Sequence, residues 1–315
     1  MRLPVPTTAA TIAALVGGVL DGPDRPVIRV SPLDTAGPDA LAYLDRGTRG
    51  LAGVHLARAP LAGATTIVVA DPLAALVRVL AASFPEEATP AVAPPSPTHP
   101  GAFVHPTAHV GAATLHPGVV VGADCVVGDG TVLFPNVVLY PRTRIGQGCR
   151  VHAGAVLGAD GFRYHPSAGP DGRVALLRVP HVAGVTVGDH VEIGPGCTID
   201  RGFLVDTTLG DGCRLDALVH VGHNVTLGRA VIVAAQTGLS GSVTVGDGAV
   251  LGGQVGVADH AEIGPGARIG AQSGVHGRIP AGEAWLGTPA LPLAITRRVY
   301  ATLRYLPDIW RRVGR

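Results

Sequence analysis

The chain has 315 residues and a net charge of +1, and charged and aromatic residues make up only 15% and 4% of it. A chain this close to neutrality has no overall basic field, which argues against nucleic-acid binding. No stretch of eighteen apolar residues, about the length that spans a bilayer, occurs in the sequence. We therefore expect a soluble, cytoplasmic protein without a transmembrane segment.

Residues 1–84 lack any long period and are expected to form a small α/β domain. The apolar run after Thr7 and Thr8 is more typical of a capped first helix than of a signal peptide, and the runs PVIRV and TTIVVAD are strand-like. Residues 85–100 are rich in proline and have no hydrophobic period, which predicts a stiff linker between two domains.

From residue 101 to about residue 286, an aliphatic residue returns at every sixth position, usually with glycine next to it. This period fits neither a helix nor a strand, and it indicates a coil in which each hexapeptide forms one flat side of a triangular prism. The aliphatic residue points inward and glycine supplies the positive φ of the corners. The inward positions are Val121, Val127, Leu133, Leu139, Ile145, Val151 and Leu157, then Leu209, Leu215, Val221, Leu227, Val233, Leu239, Val245, Leu251, Val257, Ile263, Ile269 and Val275.

Equivalent sides of successive coils stack as parallel strands, so the predicted fold is mainly β, a parallel β-helix over residues 101–286. Its resemblance to hexapeptide-repeat proteins implies a left-handed coil. Residues from about 159 to 186 break the period and are expected to leave the prism as a loop and rejoin it in register. Four cysteines without CxxC spacing are expected to be buried thiols in a reducing compartment, namely Cys125, Cys149, Cys197 and Cys213.

Residues 287–315 predict a basic, amphipathic helical extension at the end of the chain. Apolar residues recur near helical spacing among several arginines, including Arg297, Arg298 and Arg304. Three interpretations stay open: a helix that packs beneath a trimer, a docking surface for an acidic partner, or a membrane-surface helix.

Most of the 13 histidines fall at surface turns, and His223 stands out from them. It lies two residues after the inward-pointing Val221, and His260 lies three residues after Val257, which is two whole coils further on. We therefore expect His223 and His260 on one side of the prism, about 10 Å apart along its axis, lining one groove. No obvious partner in sequence is seen for His105, His109, His116, His152, His220 and His276.

The neighbours of His223 favour a catalytic role. Asp216, one side earlier, and the adjacent Asn224 carry groups that can fix the tautomer of an imidazole or bind a polar substrate atom. A neutral imidazole can take the proton of an amine as the amine attacks an activated acyl group, which predicts acyl transfer. The sequence leaves open whether Asp216 reaches His223 within one chain or across a trimer seam.

Several motifs together resemble the UDP-3-O-(3-hydroxyacyl)glucosamine N-acyltransferase family of lipid A biosynthesis, over essentially the whole chain. The resemblance implies a homotrimer with grooves between neighbouring prisms, the acyl-phosphopantetheine of an acyl carrier protein as donor, and neither a metal nor a cofactor. The motifs are TTAATIAALVGG, SPLDTAGPDALAYL, GADGF (158–162), VGDHVEIGPGCTIDRG (187–202), LDALVHVGHNVTLG (215–228) and GTPALP before the basic helix.

The same resemblance assigns roles to individual residues. It makes His223 the catalytic base, Asp216 its supporting carboxylate and His260 a second groove histidine that stabilises the developing oxyanion. It places Asn224, together with Asp160 and Phe162 of GADGF, among the substrate-binding residues. The terminal basic helix, with Arg297, Arg298 and Arg304, matches the part of the family that meets the acidic carrier protein.

The N-terminal domain, which in the family binds the uracil nucleotide, departs from the family pattern. Tyr43 keeps the first of two expected aromatic residues, but Arg46 and Arg49 stand where an asparagine and the second aromatic residue are usual. Arginine can stack on a base or bind a phosphate through its planar guanidinium, so both remain candidate substrate-binding residues. Ala217 replaces the asparagine that usually follows the supporting aspartate.

Three other functions remain open at this point. The first is acyl transfer to a different amino sugar or amine, with a carrier-protein or coenzyme A thioester as donor. The second is a trimeric metal-dependent lyase, for which His220 and His223 are candidate ligands but a third ligand is not evident. The third is a scaffold whose groove binds without reacting.

Overall fold

The computed structural model describes residues 2–33, 36–44, 53–83, 101–168 and 173–313. Within it the chain divides into two compact units, Met1–Ala91 and Val92–Arg315. The predicted linker at residues 85–100 lies outside the described residues.

The first unit is a six-stranded mixed sheet with two helices. Its four inner strands are parallel in the order β3-β4-β5-β6, and an antiparallel strand flanks each edge. The elements are β1 (Arg2–Thr8), α1 (Ala9–Val16), β2 (Val19–Asp21), β3 (Pro26–Val30), β4 (Ala40–Tyr43), β5 (Val54–Ala57), β6 (Thr65–Val68) and α2 (Pro72–Ser83).

Helix α1 begins at one of the two predicted threonine caps. The Thr8 hydroxyl accepts a hydrogen bond from the Thr11 N–H, and Gly17 closes the helix with a φ of 69°. Ile12 and Val16 are buried in the core of this unit. The predicted first helix is therefore present, and it packs on the sheet.

The second unit is a prism with three parallel sheets. The first face holds β7 (Phe103–Val104), β10 (Val120–Val121), β13 (Val138–Leu139), β16 (Val156–Ala159), β21 (Thr198–Asp200), β24 (His220–Val221), β27 (Gly238–Leu239), β30 (Gly256–Val257) and β33 (Gly274–Val275). The second holds β8 (His109–Val110), β11 (Val126–Val127), β14 (Thr143–Ile145), β19 (Val185–Val187), β22 (Thr207–Leu209), β25 (Thr226–Leu227), β28 (Thr244–Val245), β31 (Glu262–Ile263) and β34 (Arg278–Ile279). The third holds β9 (Thr114–Leu115), β12 (Val132–Leu133), β15 (Arg150–Val151), β20 (Glu192–Ile193), β23 (Arg214–Leu215), β26 (Ile232–Val233), β29 (Val250–Leu251), β32 (Arg268–Ile269), β35 (Ala284–Leu286) and the antiparallel β36 (Leu291–Pro292).

The core of the prism consists of the residues that the six-residue period selects. Every predicted inward position is at most 3% exposed, and most strands pair in register with an offset of eighteen residues, as in Val121 with Leu139. The predicted fold class, a left-handed parallel β-helix, is therefore confirmed. All four cysteines are buried and free, also as predicted.

The chain leaves the prism twice. Between β16 and β19 it forms an antiparallel hairpin of β17 (Tyr164–Ala168) and β18 (Val174–Arg178), and then rejoins the second face beside β14. A shorter departure at residues 201–206 separates β21 from β22. Both departures lie next to the strand that precedes His223, so they shape its surroundings.

The C-terminal extension is helical but is broken into two helices, α3 (Leu293–Leu303) and α4 (Leu306–Val313). Pro307 has no backbone N–H to donate to the carbonyl four residues earlier, so one continuous helix cannot form. Within the described ranges, no helix is long and apolar enough to cross a membrane.

Candidate active site

A cavity of about 480 Å³ opens beside the first face of the prism, along strands β24, β27, β30 and β33. Small residues dominate the strand positions on its floor, the polar groups come from the strands and the residues that follow them, and the start of the first departure contributes the Phe162 ring. Its lining residues are Phe162, Asp200, His220, Gly222, His223, Gly238, Leu239, Ser240, Gly241, Gly256, Val257, Ala258 and His276.

A network of hydrogen bonds fixes the tautomer of His223. Asn224 donates from Nδ2 to the Val205 carbonyl at 3.1 Å, and its Oδ1 accepts from the Phe203 N–H at 3.1 Å. These two bonds settle which end of the amide is oxygen, so the 2.9 Å contact between Asn224 Oδ1 and His223 Nδ1 requires a proton on Nδ1. His223 Nε2 therefore carries the lone pair that a general base needs.

Glycines hold the His223 imidazole on both sides. A β-carbon added at Gly241 would lie 2.6 Å from His223 Cε1 and 2.7 Å from Nε2. One added at Gly161 would lie 2.8 Å from His223 Cβ and equally close to His181 Nε2. A side chain at either position would displace the His223 ring, so glycine at both positions allows the ring to lie where it does.

A second imidazole, His181, stands behind His223. Their ring centroids are 5.0 Å apart, and the other neighbour of His181 is the Phe203 ring at 5.9 Å. His181 is only 4% exposed, and neither of its ring nitrogens has a hydrogen-bond partner of normal geometry among the described residues. Burial, and then the proximity of His223, lower the pKa of His181, so a neutral ring backs the candidate base.

Asp200 and Arg201, from the IDRG motif, have separate roles. The buried Arg201 guanidinium donates to the carbonyls of Gly158 and Pro141 at 2.7 and 2.8 Å, which ties the start of the second departure to the prism. Asp200 instead lines the cavity, with its Oδ2 3.8 Å from His220 Nε2. Burial raises the pKa of the Asp200 carboxyl to about 6 and lowers the pKa of His220.

The predicted substrate-binding residues are only partly brought together. Phe162 lines the cavity and is 88% exposed. Asp160 does not line it and forms ion pairs with Arg178 and, at 3.7 Å, with Arg201. In the first unit, Tyr43 ends β4 and is 38% exposed, while Arg46 and Arg49 lie outside the described residues.

The chain does not bring Asp216 to His223. Asp216 follows β23 on the third face, is exposed, and accepts from the N–H of Ala217 at 2.7 Å. It lines a different cavity, of about 420 Å³, with His152 and Glu192. The two residues follow strands of different faces, so any contact between them needs a second copy of the chain.

His260 lies two coils further along the prism than Asn224, the residue after His223. It is an exposed corner residue with a φ of 57°, and counting by coils places it above Ser242 and Asn224 rather than above His223. It is not among the residues that line the cavity, whereas His276 is. This cavity therefore includes His223 but not His260, and a groove lined by both histidines stays a prediction.

The remaining predicted residues lie away from this cavity. Arg297, Arg298 and Arg304 are exposed on and just after α3, and the Arg304 guanidinium lies 4.7 Å from the Tyr305 ring centre. Histidines without an obvious sequence partner have partners in the structure: His152 Nε2 lies 3.0 Å from Glu192, and His220 Nδ1 lies 2.8 Å from the Thr198 hydroxyl. Across the described segments, no group of three or more His, Cys, Asp or Glu side chains is arranged to hold a metal ion.

Sequence reasoning missed Asp200 and His181. Asp200 directly follows an inward-pointing aliphatic residue, as Asp216 does, and this signal was available. The departure at residues 201–206 conceals it, because β21 and β24 are twenty-two residues apart rather than eighteen. His181 lies in a segment without any period, and we find no sequence signal that would have identified it.

Comparisons with known proteins agree with the fold. The family described as bacterial transferase hexapeptide (six repeats) matches residues 124–159 and 206–241. The UDP-N-acetylglucosamine O-acyltransferase of Moraxella catarrhalis superposes with a TM-score of 0.57, at 24% identity, over 69% of this chain and 84% of its own. This likeness shows the fold.

Curated relatives show more than the fold. The UDP-3-O-acylglucosamine N-acyltransferase of Azorhizobium caulinodans is 41% identical over 99% of this chain and 96% of its own length. The enzyme of the same name from a Methylobacterium species is 39% identical over 96% and 94%. The sequence identity extends over both units, and the prism cavity contains the shielded imidazole of His223. This chain is therefore an acyltransferase and belongs to the UDP-3-O-acylglucosamine N-acyltransferase family.

Proposed function

We propose that this enzyme transfers a (3-hydroxy)acyl group from the thioester of an acyl carrier protein to the 2-amine of a UDP-3-O-acylglucosamine, a step of lipid A biosynthesis, with His223 as general base. The observation that carries the proposal is the tautomer of His223. Its Nδ1–H is bound by Asn224, which leaves Nε2 as the proton acceptor on the side of the ring next to Gly241, a residue of the cavity wall.

The reaction follows from this geometry. The amine nitrogen attacks the thioester carbonyl carbon, the C–N bond forms, and His223 Nε2 takes the proton that the nitrogen must lose. When the C–S bond breaks, the imidazolium returns this proton to the leaving sulfur. The oxygen of the tetrahedral intermediate needs a donor, and His260 remains the proposed one, supplied within an assembly of several chains. No cofactor is required, because the activated acyl group arrives on the phosphopantetheine arm of the donor.

The surface of the chain supports a homotrimer and a carrier-protein donor. Asp216 and His152 line a cavity on the third face, which a neighbouring prism can place opposite the His223 cavity of the first face. The exposed Arg297, Arg298 and Arg304 supply the positive charge that an acidic carrier protein needs for long-range attraction.

The proposed acceptor is a UDP-sugar. Tyr43 offers an exposed ring for stacking on a base. The experiment is to incubate the purified protein with acylated carrier protein and either UDP-3-O-acylglucosamine or the same sugar without the UDP group, and to follow the added acyl mass by mass spectrometry. We expect acylation of the UDP-sugar at a far higher rate. Equal rates would contradict the nucleotide part of the proposal, and no added mass with any amino sugar would contradict acyl transfer.

A mixing experiment tests the shared site. His223→Ala and Asp216→Ala lie in different cavities, so co-refolded mixtures contain some seams with two unaltered partners. If the active site is formed across the seam, two inactive variants regain about a quarter of the wild-type activity on mixing, since random mixing leaves both residues intact at about one seam in four. Mixtures as inactive as the separate variants would contradict a shared site.

A further inference from the structure

Asp200 is part of the cavity wall. It ends β21, which pairs in register with β24 through Thr198 with His220 and Ile199 with Val221. Continuing that register places Asp200 beside Gly222, the residue before His223, where no side chain intervenes. Asp200 is 9% exposed, and this small exposed part faces the cavity that His223 also lines.

The carboxylate of Asp200 has no partner that would normally accompany a buried charge. In the described part of the chain, no donor makes a hydrogen bond to it. The adjacent Arg201 directs its guanidinium to the carbonyls of Gly158 and Pro141. The nearest candidate cation, His220 Nε2, is 3.8 Å away, which is beyond hydrogen-bonding distance.

The groups around Asp200 do not neutralise it either. Burial lowers the pKa of His220, which disfavours its charged form, and its Nδ1 is bound to the Thr198 hydroxyl. Asp160, at the end of the neighbouring strand β16, has the same charge sign and is paired with Arg178 and Arg201. His223 interacts favourably with the carboxylate, but its Nδ1–H is directed to Asn224. An uncompensated buried carboxylate is costly to the fold, so a ligand that brings a positive donor would relieve that cost.

We propose that Asp200 binds the amino group of the acceptor as its ammonium ion and so selects an amine over a hydroxyl at the reacting position. This inference rests on the proposed function, and it deepens that function by naming the residue that recognises the nucleophile. A hydroxyl can donate one neutral hydrogen bond, whereas an ammonium brings three donors and the compensating charge.

The placement also suits the chemistry. An ammonium bound at Asp200 has its nitrogen next to the residue that precedes His223, within the cavity where the base acts. It loses one proton to solvent before attack, since only the neutral amine has a lone pair. The second proton passes to His223 Nε2 as the C–N bond forms, and from there to the leaving sulfur. Asp200 is thus a binding residue, and His223 remains the base.

The test uses a matched pair of ligands, UDP-glucosamine and UDP-glucose, which differ in an amino or hydroxyl group at position 2. Their dissociation constants are measured by titration calorimetry at pH 7.5 for the wild type, for Asp200→Asn and for Asp124→Asn, an exposed aspartate outside the cavity. We expect the wild type and Asp124→Asn to bind the amine about 10- to 100-fold more tightly than the hydroxyl. We expect Asp200→Asn to lose this preference and to bind UDP-glucose within about threefold of the wild type.

The outcomes separate this inference from the proposed function. A preference for the amine that persists in Asp200→Asn overturns the inference. An equal loss of affinity for both ligands overturns it too, because it would indicate that Asp200 affects only the shape of the cavity. Because the readout is binding, it does not depend on turnover. A wild type that prefers the amine through Asp200 but acylates no amino sugar would support the inference and contradict acyl transfer.

Discussion

Replacing Asp200 by asparagine is expected to stabilise the protein at neutral pH, although the same change weakens amine binding. Burial raises the pKa of the Asp200 carboxyl from its ordinary value of 3.8 to about 6, and the unfolded chain keeps the ordinary value. One pKa unit corresponds to about 1.4 kcal/mol, so the difference between the folded and unfolded pKa of Asp200 lowers the free energy of unfolding by at most about 3 kcal/mol. Asparagine is neutral and similar in shape, so it removes the cost of burying the charge.

The sign of the pH dependence follows from linkage. The folded protein holds the Asp200 proton more tightly than the unfolded chain does, so the stability from this proton is fully present below about pH 4. It is lost as the pH rises through about 6, where the folded carboxyl ionises. The variant does not titrate at this position. The free energy of unfolding of the variant minus that of the wild type therefore increases by up to about 3 kcal/mol between pH 4 and pH 7.

The assay is equilibrium urea denaturation at a series of pH values, followed by circular dichroism. All samples are compared at one protein concentration, because association of chains changes the apparent stability. Asp124→Asn, an exposed aspartate, is the control and should show no such increase. A difference between Asp200→Asn and wild type that is constant from pH 4 to pH 7, or that falls, would refute the assignment of Asp200 as an uncompensated buried carboxylate.

Three other predictions concern the base and the core. Asn224→Gly should lower kcat about 100-fold, because it removes the acceptor that fixes the His223 tautomer, and glycine suits the left-handed corner at φ 61°. Asn224→Asp keeps an acceptor oxygen and should keep most of the activity. Equal kcat values for the two variants would count against the tautomer argument. Gly241→Ala should reduce kcat/KM roughly 100-fold, because the added β-carbon displaces the His223 ring. Gly256→Ala should have a much smaller effect, since a β-carbon there meets no atom within 4 Å. Comparable losses of kcat/KM in the two variants would argue against displacement of the ring. The four cysteine thiols are buried, and burial raises their pKa. A thiol reagent at pH 8 should therefore modify none of them until urea is added. Rapid labelling of the native protein would contradict the packing of the core.

The sequence predicts the prism almost completely, because the six-residue period follows directly from how the core of the prism packs. Each inward position must be apolar, and each coil places its residue on the one eighteen positions earlier, so Val121 and Leu139 could be assigned to one column from counting alone. His223 and Asn224 were found in the same way, since they belong to the uninterrupted part of the repeat.

The remainder of the site could not be predicted, for physical reasons that differ between residues. His181 reaches His223 only through the fold of a non-periodic segment, where the positions of side chains depend on tertiary contacts. His260 belongs to the column of Asn224 and not to that of His223, and counting alone does not show which cavity its side chain enters, because at a corner a single residue changes the direction of the side chain. Asp216 was recognised by its type and position after an inward residue, but the face that carries it does not border the His223 cavity.

The central claim is that His223 accepts the proton of an amine during acyl transfer, and its most direct test is the turnover of His223→Ala. Wild type and variant are compared for kcat/KM with acylated carrier protein and UDP-3-O-acylglucosamine, after circular dichroism and size-exclusion chromatography have shown the same fold and assembly. We predict a decrease of about 100- to 10,000-fold, the range expected for the loss of a general base. A variant with the wild-type assembly and unchanged kcat/KM would contradict the account.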